Sequence, residues 1–412
     1  MPTTDRRTFV RHTAGTLAAM ALLPDLSLAA PIRFGAPLSV AIIGVGRQGR
    51  SIIGELQKMD AAKVSAICDV DESRLRSGGR RAPGASAYAT PAELFDKAKD
   101  VQAVFIATPT HLHKQIAIDA LEAGLHVYCE VPLAHTIEDC REIVAAARVA
   151  SGIFQAGLCG RSNPVYKLAR SFYKSDAVRD LVAMRAQYNR KTTWRIPAPK
   201  ASLEKARNWK LDPEVSLGLA GEQGTHQFDV FHYFLGRYPT SISGRGQIRM
   251  HNDGREIHDT IHCNVIFDDG VQLDYRATLA NSFEGTHEVL YGTNAAIKLA
   301  WTNGWLFKEA DAPTQGWEVY ANRQQFHNDE GITLIADATK LASQGKLKEG
   351  IGLEHPPVYY SVADFLKSVI EGKPVASSAE VGMRATVVGI LANQAVLTGQ
   401  EITIDENILK GA

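Results

Sequence analysis

Glu222, His226 and Asp229 stand at i, i+4 and i+7 in the middle of the chain. A helix would set them on one face, with Phe228, Phe231 and Leu235 as the opposing apolar stripe. An imidazole that titrates near neutrality and is oriented by a carboxylate suits the removal of a hydroxyl proton, the step that accompanies hydride loss from a carbinol. His226 is therefore the candidate base, and Glu222 its orienting or substrate-binding partner. A histidine packed beside a helix start for structural reasons is the competing reading. His232 and His126 have no such company and read as core or surface residues.

A second constellation lies near the start. The apolar run Leu38 to Ile43 flows into Gly44-Val45-Gly46-Arg47-Gln48-Gly49, a helical pattern follows (Ile52, Ile53, Leu56), and a second apolar run, Val64 to Cys68, ends on Asp69. Strand, G-x-G-x-x-G turn, helix, strand and acid arrive in the order a dinucleotide site requires. The glycines let backbone approach a pyrophosphate, the helix N-terminus offers it N–H groups, and the acid accepts from a ribose hydroxyl. Asp69 also favours NAD over NADP, because its carboxylate would repel a 2′-phosphate.

These residues need elements to hold them. From Asp71 helix and strand alternate without long breaks: Thr90 caps a helix whose capping box closes on Glu93, and Val101 to Ala107 reads as a buried strand. The loop Thr108-Pro109-Thr110-His111-Leu112-His113 leaves that strand at the end where ligands gather, so Thr108, Pro109 and His113 are candidate cofactor contacts. Glu130, after the strand at His126 to Tyr128, reads either as a contact in the nicotinamide or ribose region or as a solvated loop acid. Past Gly160 longer strands take over: Leu181 to Tyr188, Ile257 to Phe267, Val271 to Leu279, Glu288 to Tyr291 and Ala296 to Ala300, with a hairpin signal at Asp268-Asp269-Gly270. Helices at Val358 to Glu371 and from Ser377 to Gly399 close the chain, while Lys308 to Leu353 is weakly patterned. The fold class is α/β, with an N-terminal Rossmann doubly wound parallel sheet and a C-terminal α+β domain on an open, largely antiparallel sheet. The boundaries are 1–30 for a leader, 31–159 for the nucleotide-binding domain and 160–412 for the substrate and oligomerisation domain.

Charge excludes some partners. The 412 residues carry 45 Lys+Arg against 45 Asp+Glu, so no global field draws the chain to nucleic acid or anionic lipid, and a small molecule is the expected partner. The five cysteines show no metal-ligand spacing, and no metal is expected; Cys129, beside the site, is a candidate reactive thiol. Asp5-Arg6-Arg7-Thr8-Phe9-Val10, the apolar run from Thr13 to Leu23 and Ser27-Leu28-Ala29-Ala30 resemble a twin-arginine (Tat) export signal cleaved near Ala29 or Ala30. Periplasmic or otherwise exported localisation follows, with no stable membrane anchor.

Taken together, the glycine turn, Thr108 to His113, Cys129-Glu130-Val131-Pro132-Leu133, Arg161-Ser162-Asn163-Pro164, Glu222-Gln223-Gly224-Thr225-His226 and the terminal helix resemble the Gfo/Idh/MocA oxidoreductase family over Leu38 to Ile404. The resemblance implies a nicotinamide cofactor and a sugar, polyol or glycoside substrate. Family members commonly carry Glu-Lys-Pro where this chain has Glu130-Val131-Pro132, so an expected proton-handling lysine is missing; Lys191 and Lys210 are candidate replacements. Arg161, Asn163 and Asp229 are candidate substrate contacts, although Asn163 also reads as a cap before Pro164. An exported enzyme that meets little free dinucleotide should hold its cofactor tightly and return the hydride within one cycle. Three readings stay open: a sugar or polyol dehydrogenase, a glycosidase or lyase acting by transient sugar oxidation, and a non-catalytic cofactor-dependent binding protein. A homo-oligomer through the C-terminal sheet is the expected assembly, if any.

Overall fold

Leu38–Ile43 forms strand β1 at the centre of a six-stranded sheet. The computed structural model describes residues 36–410 apart from 317, 319, 320, 328, 337–340, 342, 343 and 345–351, so the expected export signal and part of the weakly patterned stretch lie outside the described residues. Beside β1 lie β2 (Ala62–Cys68) and β4 (Ala103–Ile106), followed outward by β3 (Ser86–Tyr88) on one side and β5 (His126–Cys129) and β6 (Phe154–Ala156) on the other. The order β3-β2-β1-β4-β5-β6 is parallel throughout. Strand order reverses between β1 and β4, which places a ligand crevice at their C-terminal ends. Val40, Ile42, Val104 and Phe105 are fully buried, and strands covered on both faces read as unbroken apolar runs. Thr90 caps Pro91–Lys97 as its sequence predicts, Oγ1 accepting from Glu93 N at 3.2 Å.

The second sheet has ten strands: β7 (Leu181–Asn189), β8 (Ser241–Gln247), β9 (Thr260–Ile266), β10 (Gln272–Thr278), β11 (Thr286–Gly292), β12 (Ala295–Ala300), β13 (Asn303–Lys308), β14 (Arg323–Phe326), β15 (Asp329–Thr333) and β16 (Ile402–Thr403). Their order is β14-β15-β13-β12-β11-β7-β10-β9-β8-β16, antiparallel except where β7 meets β10. The turn between β9 and β10 falls at Asp268-Asp269-Gly270, with Gly270 at φ +83°.

Chain order and spatial grouping part company near the C-terminus. Helix Pro357–Glu371 packs against the first sheet: Val362, Phe365 and Leu366 join Ile52, Ile53, Leu56, Phe105 and Tyr128 in one core. Helix Ala379–Thr398, capped by Ser378, is long and apolar enough to cross a membrane, yet it is largely buried between β8 and helices of both domains. Thr386 on it accepts from Leu133 N at 2.9 Å, and Ser377 before it donates to Ala156 O at 2.6 Å, so it ties the two sheets together.

Candidate active site

Two of the three glycines are demanded by the fold itself. Gly44 has φ +91°, and a Cβ there would lie 2.6 Å from the Ala107 carbonyl; at Gly49 a Cβ would fall 1.9 Å from Gly44 O. Gly46 differs, since a Cβ there would meet nothing within 4 Å. Helix Arg47–Leu56 starts at Gly46 with no side-chain cap and no acid in its first turn, which leaves its first N–H groups for an anion. Thr108 Oγ1 is buried without a hydrogen-bond partner. An open space at Gly46, an uncapped helix start and an orphaned hydroxyl on the facing loop fit a bound dinucleotide, with Gly46, Arg47, Gln48, Asp69 and Thr108 placed to hold it.

The acid at the end of β2 is already part of this cradle. Asp69 Oδ2 accepts from Val45 N at 2.8 Å and Oδ1 from Asp71 N at 2.9 Å, which fixes the glycine turn; burial raises its pKa, opposed by those two bonds and by Arg74. Gln48 Nε2 donates to Glu130 Oε1 at 2.9 Å across the crevice. Glu130 is therefore no solvated loop acid: it is buried, and burial pushes its carboxyl up to about 7 against the pull of Gln48. Pro109 leads into the turn Thr110–Leu112.

The ring of His113 is buried, with Nδ1 3.0 Å from Pro132 O and Nε2 2.9 Å from Thr108 O, so it spans the two crevice loops. Burial lowers its pKa to about 4, and the neutral ring donates to one of those carbonyls at a time. Cys129 is a correction. It is fully buried, and burial raises its thiol well above the usual range, which removes it as a reactive group.

The helix expected to carry Glu222, His226 and Asp229 on one face is broken. Gly218–Glu222 ends at Gln223 (φ −120°, ψ −43°), and a new helix, Gly224–Leu235, carries His226 and Asp229. Glu222 consequently turns to the first domain, within 3.3 Å of Thr110 Oγ1 and 3.6 Å of Lys210 Nζ, instead of orienting the imidazole. Burial raises the Glu222 carboxyl, with the Lys210 charge countering. His226 Nδ1 is buried and has no hydrogen-bond partner, so no neighbour fixes its tautomer through that atom. Burial first, and the Lys210 charge second, lower its pKa to about 4 and keep the ring neutral.

His226 lies in the wall of a cavity of about 200 Å³, with Tyr188, Gln223, Gln227, Thr286 and Trp301. That volume is the share of roughly seven waters, the scale of one sugar ring. Trp301, at φ +57°, sets its ring edge-on to His226 at 6.1 Å between centroids, and its Nε1 is another buried donor without a partner. Nothing at the sequence level marked Trp301, because it stands alone in the turn between β12 and β13.

The three candidate substrate contacts have other work. Asp229 is buried and takes Arg161 through both Nε (2.9 Å to Oδ2) and Nη2 (2.7 Å to Oδ1), while Nη2 also lies 2.8 Å from His232 Nδ1. Asn163 Oδ1 caps Pro164–Lys174 through Val165 N at 2.9 Å, and its Nδ2 donates to Trp301 O at 2.5 Å. Arg161 and Asp229 are paired with each other, and Asn163 is a helix cap bonded to Trp301, so all three brace the walls of the site.

Residues 190–217 form a strap that the sequence did not announce. Asn208 pins it internally by bonding both the N–H and the carbonyl of Ile196, and Arg207 reaches the first domain, with Nε 2.8 Å and Nη2 2.5 Å from Asp71 Oδ2. Three residues later Lys210 reaches Glu222. Lys191 is exposed and bonds Ser282 Oγ through its backbone N–H.

The model of an oxidoreductase family with an NAD-binding Rossmann fold matches residues 38–158, and its companion C-terminal α/β domain matches 186–404. Myo-inositol 2-dehydrogenase of Thermotoga maritima is 24% identical over 371 residues, which span 90% of this chain and 100% of the relative. The 2,7-anhydro-N-acetylneuraminate hydratase of Mediterraneibacter gnavus is 23% identical over 371 residues, spanning 88% and 93%. A solved levoglucosan dehydrogenase in complex with NADH and levoglucosan superposes with a TM-score of 0.71 at 19% identity over 89% of this chain and 99% of that one, a likeness of fold. With the dinucleotide cradle of the first sheet and both domain models matched in order, this chain belongs to the Gfo/Idh/MocA family of NAD-binding oxidoreductases.

Proposed function

We propose that the enzyme oxidises a carbinol of a sugar, polyol or glycoside with NAD, the hydroxyl proton passing to the His226 imidazole. The carrying observation is a buried, neutral histidine with an unpartnered Nδ1 in the wall of a ring-sized cavity. A neutral imidazole is the form that accepts a proton. The nicotinamide group, when bound, supplies the hydride acceptor. Trp301 presents a ring and a donor to the same cavity, and Glu222 and Thr110 close the seam between the domains. Relatives named as dehydrogenases of an inositol and of an anhydro-sugar support this substrate class.

The twin-arginine pattern supports export to the periplasm, and the strap over the crevice supports a tightly held cofactor. Such a cofactor returns its hydride before the next turnover, to a second substrate or to the same sugar. The second choice is a lyase or glycosidase acting by transient oxidation, and it is favoured by a relative named as an anhydro-sugar hydratase.

The test is to purify the protein without added cofactor, identify the bound dinucleotide by mass spectrometry, and incubate with inositols, free sugars, anhydro-sugars and glycosides. Product without net NADH indicates the redox-neutral cycle, and stoichiometric NADH from added NAD indicates a plain dehydrogenase. Absence of turnover on the whole panel, with dinucleotide still bound, would leave the binding-protein reading. His226→Ala should lower turnover on the order of a hundredfold or more while dinucleotide affinity holds.

A further inference from the structure

Lys210 reaches the seam from the short turn Trp209–Leu211 of the strap. Its Nζ is 3.6 Å from Glu222 Oε2, 5.1 Å from the centre of the Trp194 ring and 5.3 Å from that of Trp209. Glu222 meets Thr110 of the first domain with the same carboxylate. Neutralising a buried acid would by itself account for the lysine, but three observations go beyond that.

First, the pair is lopsided: the Glu222 side chain is 3% exposed and that of Lys210 is 32% exposed. At 3.6 Å the contact is an ion pair longer than a hydrogen bond, so the ammonium keeps N–H groups for another oxygen. Second, Trp194 holds its place at φ +60°, a backbone region that costs a bulky residue energy and persists at sites that need it. Third, Arg161 is spent on Asp229 and His232, Arg170 is tied to Tyr233 O further along the His226 helix, and position 131 carries an apolar valine. Lys210 is thus the ammonium whose charge is felt at His226.

We propose that Lys210, aimed by Glu222 and walled by Trp194 and Trp209, is a catalytic residue that hydrogen-bonds the reacting oxygen of the substrate. The inference rests on the carbinol-oxidation reading above. In the oxidative direction the C–H bond breaks with its electron pair, as hydride to the oxidised nicotinamide, and the O–H bond breaks with its proton to His226. A C=O bond forms, and its oxygen accepts from Lys210 Nζ. In the reductive direction the same ammonium polarises the carbonyl, and His226 returns the proton.

Two variants test it. Lys210→Met removes the donor, and Lys210→Arg keeps the charge but moves the donor. Turnover on whichever panel sugar the unmodified enzyme converts should fall on the order of tenfold to a hundredfold in Lys210→Met, chiefly in kcat, with NADH affinity unchanged by fluorescence titration. Lys210→Arg should recover part of it. Histidine-labelled NMR of the dinucleotide-loaded protein supplies a readout that needs no substrate: the His226 titration should move up in Lys210→Met and stay low in Lys210→Arg. Full kcat in Lys210→Met, or a His226 titration that does not move, overturns the proposal. Loss of activity in His226→Ala with none in Lys210→Met would overturn this step alone, whereas a fully active His226→Ala would overturn the reading beneath it.

Discussion

The Arg207 guanidinium closes on the Asp71 carboxylate, with Nε 2.8 Å from Oδ2, two residues beyond the acid that ends β2. Burial alone would push the Asp71 carboxyl up, but hydrogen bonds from Ser73 and Arg207 outweigh it and hold it down at about 2. The strap is thereby fastened beside the acid that ends β2. Arg207→Gln should speed NADH dissociation roughly tenfold, equivalent to about 1.4 kcal/mol, read by stopped-flow fluorescence. An unchanged off-rate would place the strap clear of the cofactor.

Asp69 does two jobs that one substitution can separate. Asp69→Asn keeps an oxygen for Val45 N but discards the charge that repels a 2′-phosphate. The ratio of NADP to NAD dissociation constants should fall about tenfold or more, with a modest drop in melting temperature from the lost Asp71 N bond. Tighter binding of NADP than of NAD by the unmodified protein in calorimetry would remove Asp69 as the discriminator.

Buried groups of opposite sign should bound the stability of the cofactor-free protein in pH. Glu130, raised to about 7 from an ordinary 4.5, binds its proton more tightly when folded, so its contribution is present below pH 4.5 and lost as pH rises through about 7. His113 and His226, lowered to about 4 from 6.5, contribute above 6.5 and lose that contribution as pH falls toward 4. Glu130→Gln should therefore flatten the fall in melting temperature between about pH 5 and about pH 8. An unaltered slope in differential scanning fluorimetry would contradict the assignment.

What was legible in the sequence was what local chemistry decides. β1, the glycine turn, its helix and Asp69 lie within one short stretch, and Thr90 meets Glu93 three residues on. β8 was missed because Gly244 and Gly246 break its apolar alternation, and both are small for a distant reason: a Cβ at Gly244 would lie 2.8 Å from Val396 on the helix Ala379–Thr398. Spacing put Glu222 and His226 on one face, yet the break at Gln223 turned Glu222 toward Thr110. Arg161 and Asn163 looked available only because their partners, Asp229 and Trp301, are far away in the chain.

Asn163 offers a direct check on that correction. Asn163→Ala removes both the cap of Pro164–Lys174 and the bond to Trp301 O. Stability should drop by about 1–3 kcal/mol in urea melts. Asn163→Ser, which can still cap, should restore about half of it. A variant with full stability and a raised KM would return Asn163 to the substrate.

The helix Pro357–Glu371 brings a late stretch of the chain back to complete the core of the dinucleotide domain. Phe365 stacks edge-on against Phe105 and Tyr128, at 5.3 and 5.7 Å, and Ser361 bonds Tyr128 OH and accepts from Gln155. Strands that leave the ribosome first therefore wait for a wall that leaves it near the end, and a nascent chain stopped before Pro357 carries Ile52, Ile53 and Phe105 uncovered. The core of the dinucleotide domain cannot be completed before strands β7 to β15 of the second domain have been made. A folded dinucleotide domain then requires that synthesis has passed Glu371, so machinery that sorts folded from unfolded protein also sorts out chains cut short before Pro357.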